Sequence, residues 1–378
     1  MALAVGVIVA NLYYLQPLLH QVTHDFHISA TSGAMLVTLI QAGYAVGLAF
    51  VVPLGDLLAR RRFAVAVFAL ASVVAMAGAL VHSFILFAVV TFLLGMASVG
   101  GQLIIPFGAN MAPPAQRGRV VARLMTGLLI GILLSRSVSG FIAEFAGWRA
   151  VYWTASGALA AMAIVLYRVL PDEASRPRVS YGHLLAGTLE LFVTLPLLRR
   201  RALYGALIFA AFSVLWTTLA FHLSAAPFHY NNLVIGLFGL FGIAGVLAAN
   251  LAGHNADRQQ THRATIVGSL LIALSFIVMY VGQHTLLLLA LSIVMLDAGM
   301  QGLQVTNQSI IYSLVPESSS RVNSAYMVCA FAGAALGSFA AGQCYAHAGW
   351  RGVTLLGGGI GLAILALALL WREPIRTV

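Results

Sequence analysis

Apolar residues run along this chain in long blocks separated by short polar breaks. Blocks at about 1–20, 31–54, 63–82, 84–108, 120–143, 148–170, 202–223, 233–252, 264–282, 285–312, 322–346 and 351–371 match the roughly 20 residues that a helix needs to cross a bilayer. The long polar interruption is 171–201, which holds Pro171, Asp172, Glu173, Arg176, Pro177, Arg178 and the run Arg199-Arg200-Arg201. Within it Leu184, Leu185, Leu189, Phe192 and Leu195 recur at helical spacing, which predicts a short amphipathic helix lying on the membrane surface. The pattern predicts an all-α membrane protein of twelve transmembrane helices. Residues 1–170 are expected to form an N-terminal six-helix half, 171–201 a linker, and 202–378 a C-terminal six-helix half. The apolar opening MALAVGVIVANLYYL carries no basic leader and reads as a first span rather than a signal peptide.

An internal repeat supports the two halves. The segment AGWR stands at 146–149 and again at 348–351, an offset of 202. At that offset Arg119 aligns with Arg321, Gly131 with Gly333, Gly140 with Gly342, Pro114 with Pro316 and Gln102 with Gln304. Asp56 and Asp257 lie 201 apart, and a Phe-His pair (Phe26-His27, Phe228-His229) precedes each of them. An ungapped series of this kind implies two pseudo-symmetric copies of one unit.

Composition narrows the class further. Apolar residues make up 61% of the chain and charged ones 8%, against about 25% charged in an ordinary soluble domain. That excludes a soluble enzyme, a disordered chain and a disulfide scaffold. All 20 basic residues are arginine, and 17 of them fall on the side that would hold both termini. Arg149 and Arg351 lie on the other side, and Arg136 sits inside a span. The positive-inside rule makes the arginine-rich side cytoplasmic, so the chain is expected in the bacterial inner membrane with both ends inside. The arginines are not clustered for phosphate tracking, which argues against a nucleic-acid partner. Cys329 and Cys344 share one apolar segment and cannot bridge.

The loop after the second span, VPLGDLLARRR (52–62), resembles the signature G-x-L-x-D-R-x-G-R-R of the major facilitator superfamily. Leu54, Asp56, Arg60 and Arg61 match it, while Val52, Leu57 and Ala59 replace Gly, Arg and Gly. A second copy, GHNADR (253–258), matches at Gly253, Asp257 and Arg258. The opening ANLYYLQPLL (10–19) and the fifth span, GLLIGILLSRSVSGFIAEFAGWR (127–149), look most like the twelve-span drug/proton antiporter branch of bacterial efflux permeases. Of that branch's fifth-helix pattern, G-x-x-x-G-P-x-x-G-G, Gly127 and Gly131 match, while Ile132, Ser135 and Arg136 replace Pro, Gly and Gly. The resemblance implies a central site between two halves and transport by alternating access, with helices 1, 4, 7 and 10 lining the path.

Candidate chemistry follows from the few polar groups inside the spans. Asp297 is the carboxylate nearest the middle of any span, where an ionisable group marks function more often than not; proton acceptor, substrate contact and structural hydrogen bond are its readings. Counting 1.5 Å per residue puts Arg136 about 7.5 Å and Asp297 about 3 Å above the midplane, so both an ion pair and separate solvation fit. The expected substrate-binding groups are Asn11, Tyr14, Gln16, Gln41, Tyr44, Gln102, Trp216, His222, Gln301, Gln304 and Asn307. Tyr13, Asn110, Gln308, Asn323 and Tyr326 add to the lining. Interhelical hydrogen bonding explains any one of them equally well. Asp56, Arg60, Arg61, Asp257 and Arg258 read either as gate locks, through the resemblance, or as charges that set topology. The ridges Gly127, Gly131, Ser135, Ser139 and Gly333, Gly337, Ala341 are expected to let backbones approach where the halves rock.

The reading that unites these features is a secondary transporter, proton-coupled, exporting a drug-like or metabolite molecule. Uptake of a small polar solute is the alternative within transport. An integral-membrane enzyme or a receptor is the alternative outside it. No phosphate-binding G-x-x-x-x-G-K-[ST] motif is present, so ATP is not expected to drive it. The expected partners are a small-molecule substrate, protons and the lipid bilayer, with no cofactor, no metal and a monomeric state.

Overall fold

The computed structural model describes residues 1–113, 116–171, 180–243, 261–314 and 319–371. Among these the chain is almost wholly helical, and no strand occurs. Nine of the described helical stretches are long and apolar enough to cross a membrane.

The first span is broken at its polar residues. α1 (Ala2–Ala10) gives way to turns over residues 11–15, a 3-10 turn (Gln16–Leu18) and then α2 (Leu19–Asp25). Pro17 has no N–H to bond the Tyr13 carbonyl, so Gln16 N–H takes that carbonyl at 3.2 Å and Leu18 N–H bonds Leu15 at 3.0 Å. α3 (Ala30–Val46) similarly passes through a π segment (Gly47–Val51) into a 3-10 turn (Val52–Asp56) that contains Pro53. α4 (Arg60–Leu80) follows, then α5 (Phe84–Ala97) and α6 (Gly100–Met111), which make one span interrupted at Ser98-Val99.

α7 (Arg117–Ala146) and α8 (Trp148–Val169) are joined at Gly147. The helix expected within 171–201 is α9 (Tyr181–Thr194), whose Tyr181 hydroxyl donates to the Phe50 carbonyl at 2.8 Å. α10 (Pro196–Ser224) is buried along nearly its whole length and forms the centre of the molecule. α11 (Asn232–Leu237) runs into a 3-10 turn (Phe238–Gly242), and α12 (Thr261–Val281), α13 (Leu286–Leu314) and α14 (Ser319–Leu370) complete the described chain.

The sequence repeat reappears in the backbone. Gly147 (φ 80°) ends α7, and its counterpart Gly349 (φ 58°) breaks α14 into two arms. Positive φ favours glycine, which accounts for the repeated Ala-Gly-Trp-Arg. His27 (φ 52°) and His229 (φ 51°) likewise share a left-handed conformation at the same offset.

Packing assigns the glycine ridges a different task from the expected one. Gly127 and Gly131 of α7 lie against α1, where a methyl group on Gly131 would stand 2.5 Å from the Gly6 Cα. Gly333 of α14 lies against Ala206 of α10 in the same manner, 2.5 Å from its Cα. Both ridges thus hold helices together on one side of the linker, because a glycine lets the neighbouring backbone approach its own. Contact across the linker runs instead between α3 and α14 and between α7 and α11, where a methyl on Gly236 would stand 2.6 Å from the Arg136 carbonyl. The outer surface is a belt of exposed apolar side chains, among them Leu70, Ile85, Phe145 and Leu287, suited to lipid and not to water.

Candidate central binding site

Arg136 is carried inward by α7 at a turn where small residues, Ser135 and Ser139, flank it, and it is 2% exposed. A guanidinium buried this far must be met by other groups. Its Nε donates to Gln16 Oε1 at 2.7 Å. Its Cζ lies 3.8 Å from the centre of the Trp216 ring, 4.9 Å from Tyr13 and 5.5 Å from Phe212. Three aromatic faces around one cation form a cage that stabilises charge in a dry site.

Asp297 of α13 lies on the other edge of Trp216, 4% exposed, and its Oδ1 accepts from the indole Nε1 at 3.4 Å. The indole therefore stacks on the cation with its face and binds the anion with its edge. No direct Arg136–Asp297 ion pair forms among the described residues; Trp216 touches both groups, its face on the cation and its Nε1 on the carboxylate. The two remain electrostatically coupled at this range because little water reaches either. Glycines admit this stack: a methyl on Gly239 would stand 2.9 Å from Arg136 Cβ, and one on Gly242 would stand 3.2 Å from Asp297 Oδ2.

The other expected residues distribute over several places. Gln16 and Trp216 join Arg136 and Asp297. Tyr44 packs on Phe331 with ring centres 4.4 Å apart and accepts from Gln102 Nε2 at 3.4 Å. Asn11 is a strut to Ser98 Oγ (3.1 Å), and Gln41 Nε2 donates to Ser213 Oγ at 3.0 Å, linking α3 to α10. Tyr14 packs on Tyr152 within α8, away from Arg136. His222 stacks on Trp350 at 3.9 Å and bonds the Gln283 carbonyl at the arginine-poor end. Gln301 is half-buried.

Gln304 and Asn307 belong to a second cluster. Arg201, 2% exposed, donates from Nη1 to Asn307 Oδ1 at 2.9 Å and to Thr265 Oγ1 at 3.3 Å. Asn307 Nδ2 donates to the Tyr326 hydroxyl (3.2 Å), which donates to Gln304 Oε1 (2.6 Å). By sequence Arg201 falls in the linker as the last of three arginines, whereas the structure places it within α10. Nothing in a run Arg-Arg-Arg distinguishes the one that α10 turns inward.

At the arginine-rich end a cavity of about 470 Å³ is lined by Asp56 and Arg60, by Gln102 and Asn110, by Arg321 and Asn323, and by Leu184 and Thr188 of α9. Arg61 donates from Nη2 to the Tyr167 carbonyl at 2.6 Å. Asp257 and Arg258 lie outside the described residues. At the opposite end Asp25 is paired with Arg149 and accepts from Trp148 Nε1 at 3.0 Å. The Arg149 hydrogen bond in particular, helped by Trp148, holds the Asp25 carboxyl below its usual range.

A family model described as Major Facilitator Superfamily matches residues 1–329 and 263–378. The chain belongs to the major facilitator superfamily. It is 43% identical over 372 residues to the transporter YgaY of Escherichia coli O157:H7, covering 98% of this chain and 94% of that one. It is 25% identical over 280 residues to a chloramphenicol resistance protein of Streptomyces lividans, covering 72% and 69%. The crystal structure of a D-xylose-proton symporter shares the fold with a TM-score of 0.76 at 15% identity, covering 100% of this chain and 97% of that one. The superfamily consists of transporters that bind small molecules, so this chain is a multi-pass membrane transporter and not an enzyme. In this superfamily member the residues that sequence reasoning left out of the site are Phe212, Gly239, Gly242 and Arg201. Phe212 shares an α10 face with Trp216 four residues on, and that spacing was a readable signal.

Proposed function

We propose that this superfamily member is a proton-coupled exporter of drug-like or metabolite molecules, working by alternating access between halves 1–170 and 202–378 in a bacterial inner membrane. The arginine-rich end, with both termini, faces the cytoplasm, and the cavity of about 470 Å³ admits substrate there. The observation that carries the proposal is the buried stack Arg136–Trp216–Asp297, which joins α7, α10 and α13 beside the 3-10 turn Phe238–Gly242.

Asp297 balances Arg136 across the indole. A proton on Asp297 removes that balance and leaves one cation in a dry cage, which favours reopening toward water. Substrate entry from the cytoplasm and proton entry from outside then alternate at one place. Asp56, Arg60 and Arg61, with Asp257 and Arg258 in the second copy, lock and release the cytoplasmic end. The relation to a chloramphenicol resistance protein supports the outward direction and an uncharged drug as cargo.

The test is chloramphenicol movement in proteoliposomes energised by a pH gradient. Wild type should accumulate the drug against its gradient, and Asp297→Asn should only equilibrate it. Undiminished uphill transport by Asp297→Asn would overturn the coupling role.

A further inference from the structure

Two buried donors beside the stack have no partner in the protein. Arg136 spends Nε on Gln16 Oε1, and its Nη2 has no hydrogen-bond acceptor. Because Arg136 can only donate, the Gln16 atom that it meets at 2.7 Å must be the amide oxygen. The other amide atom, Nε2, is then a donor, and it too is buried without an acceptor. Both side chains are 2% exposed. They line a small cavity of about 10 Å³, shared with Pro17, Trp216, Leu219 and Ile235, on the scale of one oxygen atom or one water.

Unmatched buried donors are costly, and two that converge on one small space define the ligand group that fits it. That group accepts hydrogen bonds through oxygen. Charge sets the rest. Arg136 and Asp297 sum to zero, and the remaining walls are aromatic, aliphatic or amide. An ionised ligand would leave a net charge in a site whose walls are nearly dry, whereas a neutral acceptor would not. The rings of Tyr13, Phe212 and Trp216 already face the guanidinium and keep the donors in an apolar surround.

We infer that the substrate is an uncharged molecule whose carbonyl or nitro oxygen is received by Arg136 Nη2 and Gln16 Nε2. The inference rests on the central site being the transport site, as proposed above. It adds the substrate class and names Gln16 as a specificity residue.

Equilibrium binding to the purified full chain, by calorimetry without any gradient, tests it with four matched probes: acetanilide, benzoate, benzylamine and ethylbenzene. Wild type should bind acetanilide saturably and at least tenfold more tightly than the other three. Gln16→Leu removes one donor, and with it the acceptor of Arg136 Nε, at unchanged charge; it should weaken acetanilide at least about 3–10-fold and clearly more than ethylbenzene. Asp297→Asn makes the site cationic, so benzoate should gain at least tenfold relative to acetanilide. Equal binding of acetanilide by Gln16→Leu, preference of wild type for benzoate or benzylamine, or no saturable acetanilide binding would each overturn the inference. Water alone filling the small cavity would give that last result. The transport proposal fails separately: if acetanilide binds as expected but Asp297→Asn still drives uphill transport, the substrate class stands and the coupling role falls.

Discussion

Gly131 offers the sharpest quantitative test of the packing that supports the site. A methyl group there would stand 2.5 Å from the Cα and 2.7 Å from the carbonyl carbon of Gly6, both backbone atoms that no rotamer change can move. Carbon atoms in contact sit about 3.5–4.0 Å apart, so Gly131→Ala must part α7 from α1 by about 1 Å. The Arg136–Gln16 bond of 2.7 Å lies little more than one turn along α7; stretched by the same amount, to about 3.7 Å, it is lost. Overpacking of this kind costs about 1–3 kcal/mol. The control is Gly157→Ala in α8, where a methyl would meet nothing within 4 Å. Helix propensity alone acts there and should stabilise by about 0.5–1 kcal/mol. Unfolding of both variants and wild type in one detergent, followed by intrinsic fluorescence against temperature, should place Gly131→Ala below wild type and Gly157→Ala at or above it. If the two variants unfold together, the close approach of α1 and α7 is not rigid, and the argument for a preorganised Arg136 fails with it.

Arg201→Met should destabilise the chain by about 1.5–3 kcal/mol per hydrogen bond lost to Asn307 and Thr265, read as a lower unfolding midpoint. A neutral result would show that the cluster around Tyr326 does not depend on its cation. Trp216→Phe keeps a ring face for Arg136 and loses only the long bond to Asp297, whereas Trp216→Leu also loses a cation–π contact, worth about 2 kcal/mol when desolvated. Leu should therefore cost clearly more than Phe in the same unfolding assay; equal costs would remove the stack as a stabilising unit. Asp25, whose carboxyl titrates below its ordinary value of 3.8, contributes stability above its unfolded value that disappears as pH falls through the lowered folded one. The pair with Arg149 is 30% and 43% exposed, so Asp25→Asn should cost under about 1 kcal/mol. That gap should be flat from neutrality to about pH 5 and close below about pH 4; a gap that widens on acidification would reverse the assignment.

Several features are legible in the sequence itself. Long apolar blocks must be helices in lipid, because no water is there to satisfy a bare backbone. Ala-Gly-Trp-Arg at 146–149 and 348–351 marked equivalent turns, since a positive φ at Gly147 and Gly349 calls for glycine locally. Asp297 and Arg136 stood out because an ionisable group inside a span is expensive anywhere in the bilayer. Those properties depend on neighbours in sequence or on the solvent, and the chain states both. Partnership depends on which helix faces which, and composition does not encode that. The Arg136–Asp297 ion pair that height along the axis allows does not form; Trp216 of α10 instead meets Arg136 with its face and Asp297 with its Nε1. Gln304 and Asn307 share a helical face with one another, yet Arg201 and Tyr326 claim them from α10 and α14. Gly127 and Gly131 read as a ridge in either case, but only the register of α1 shows that the ridge meets Gly6, and that it holds one group of helices together instead of joining two.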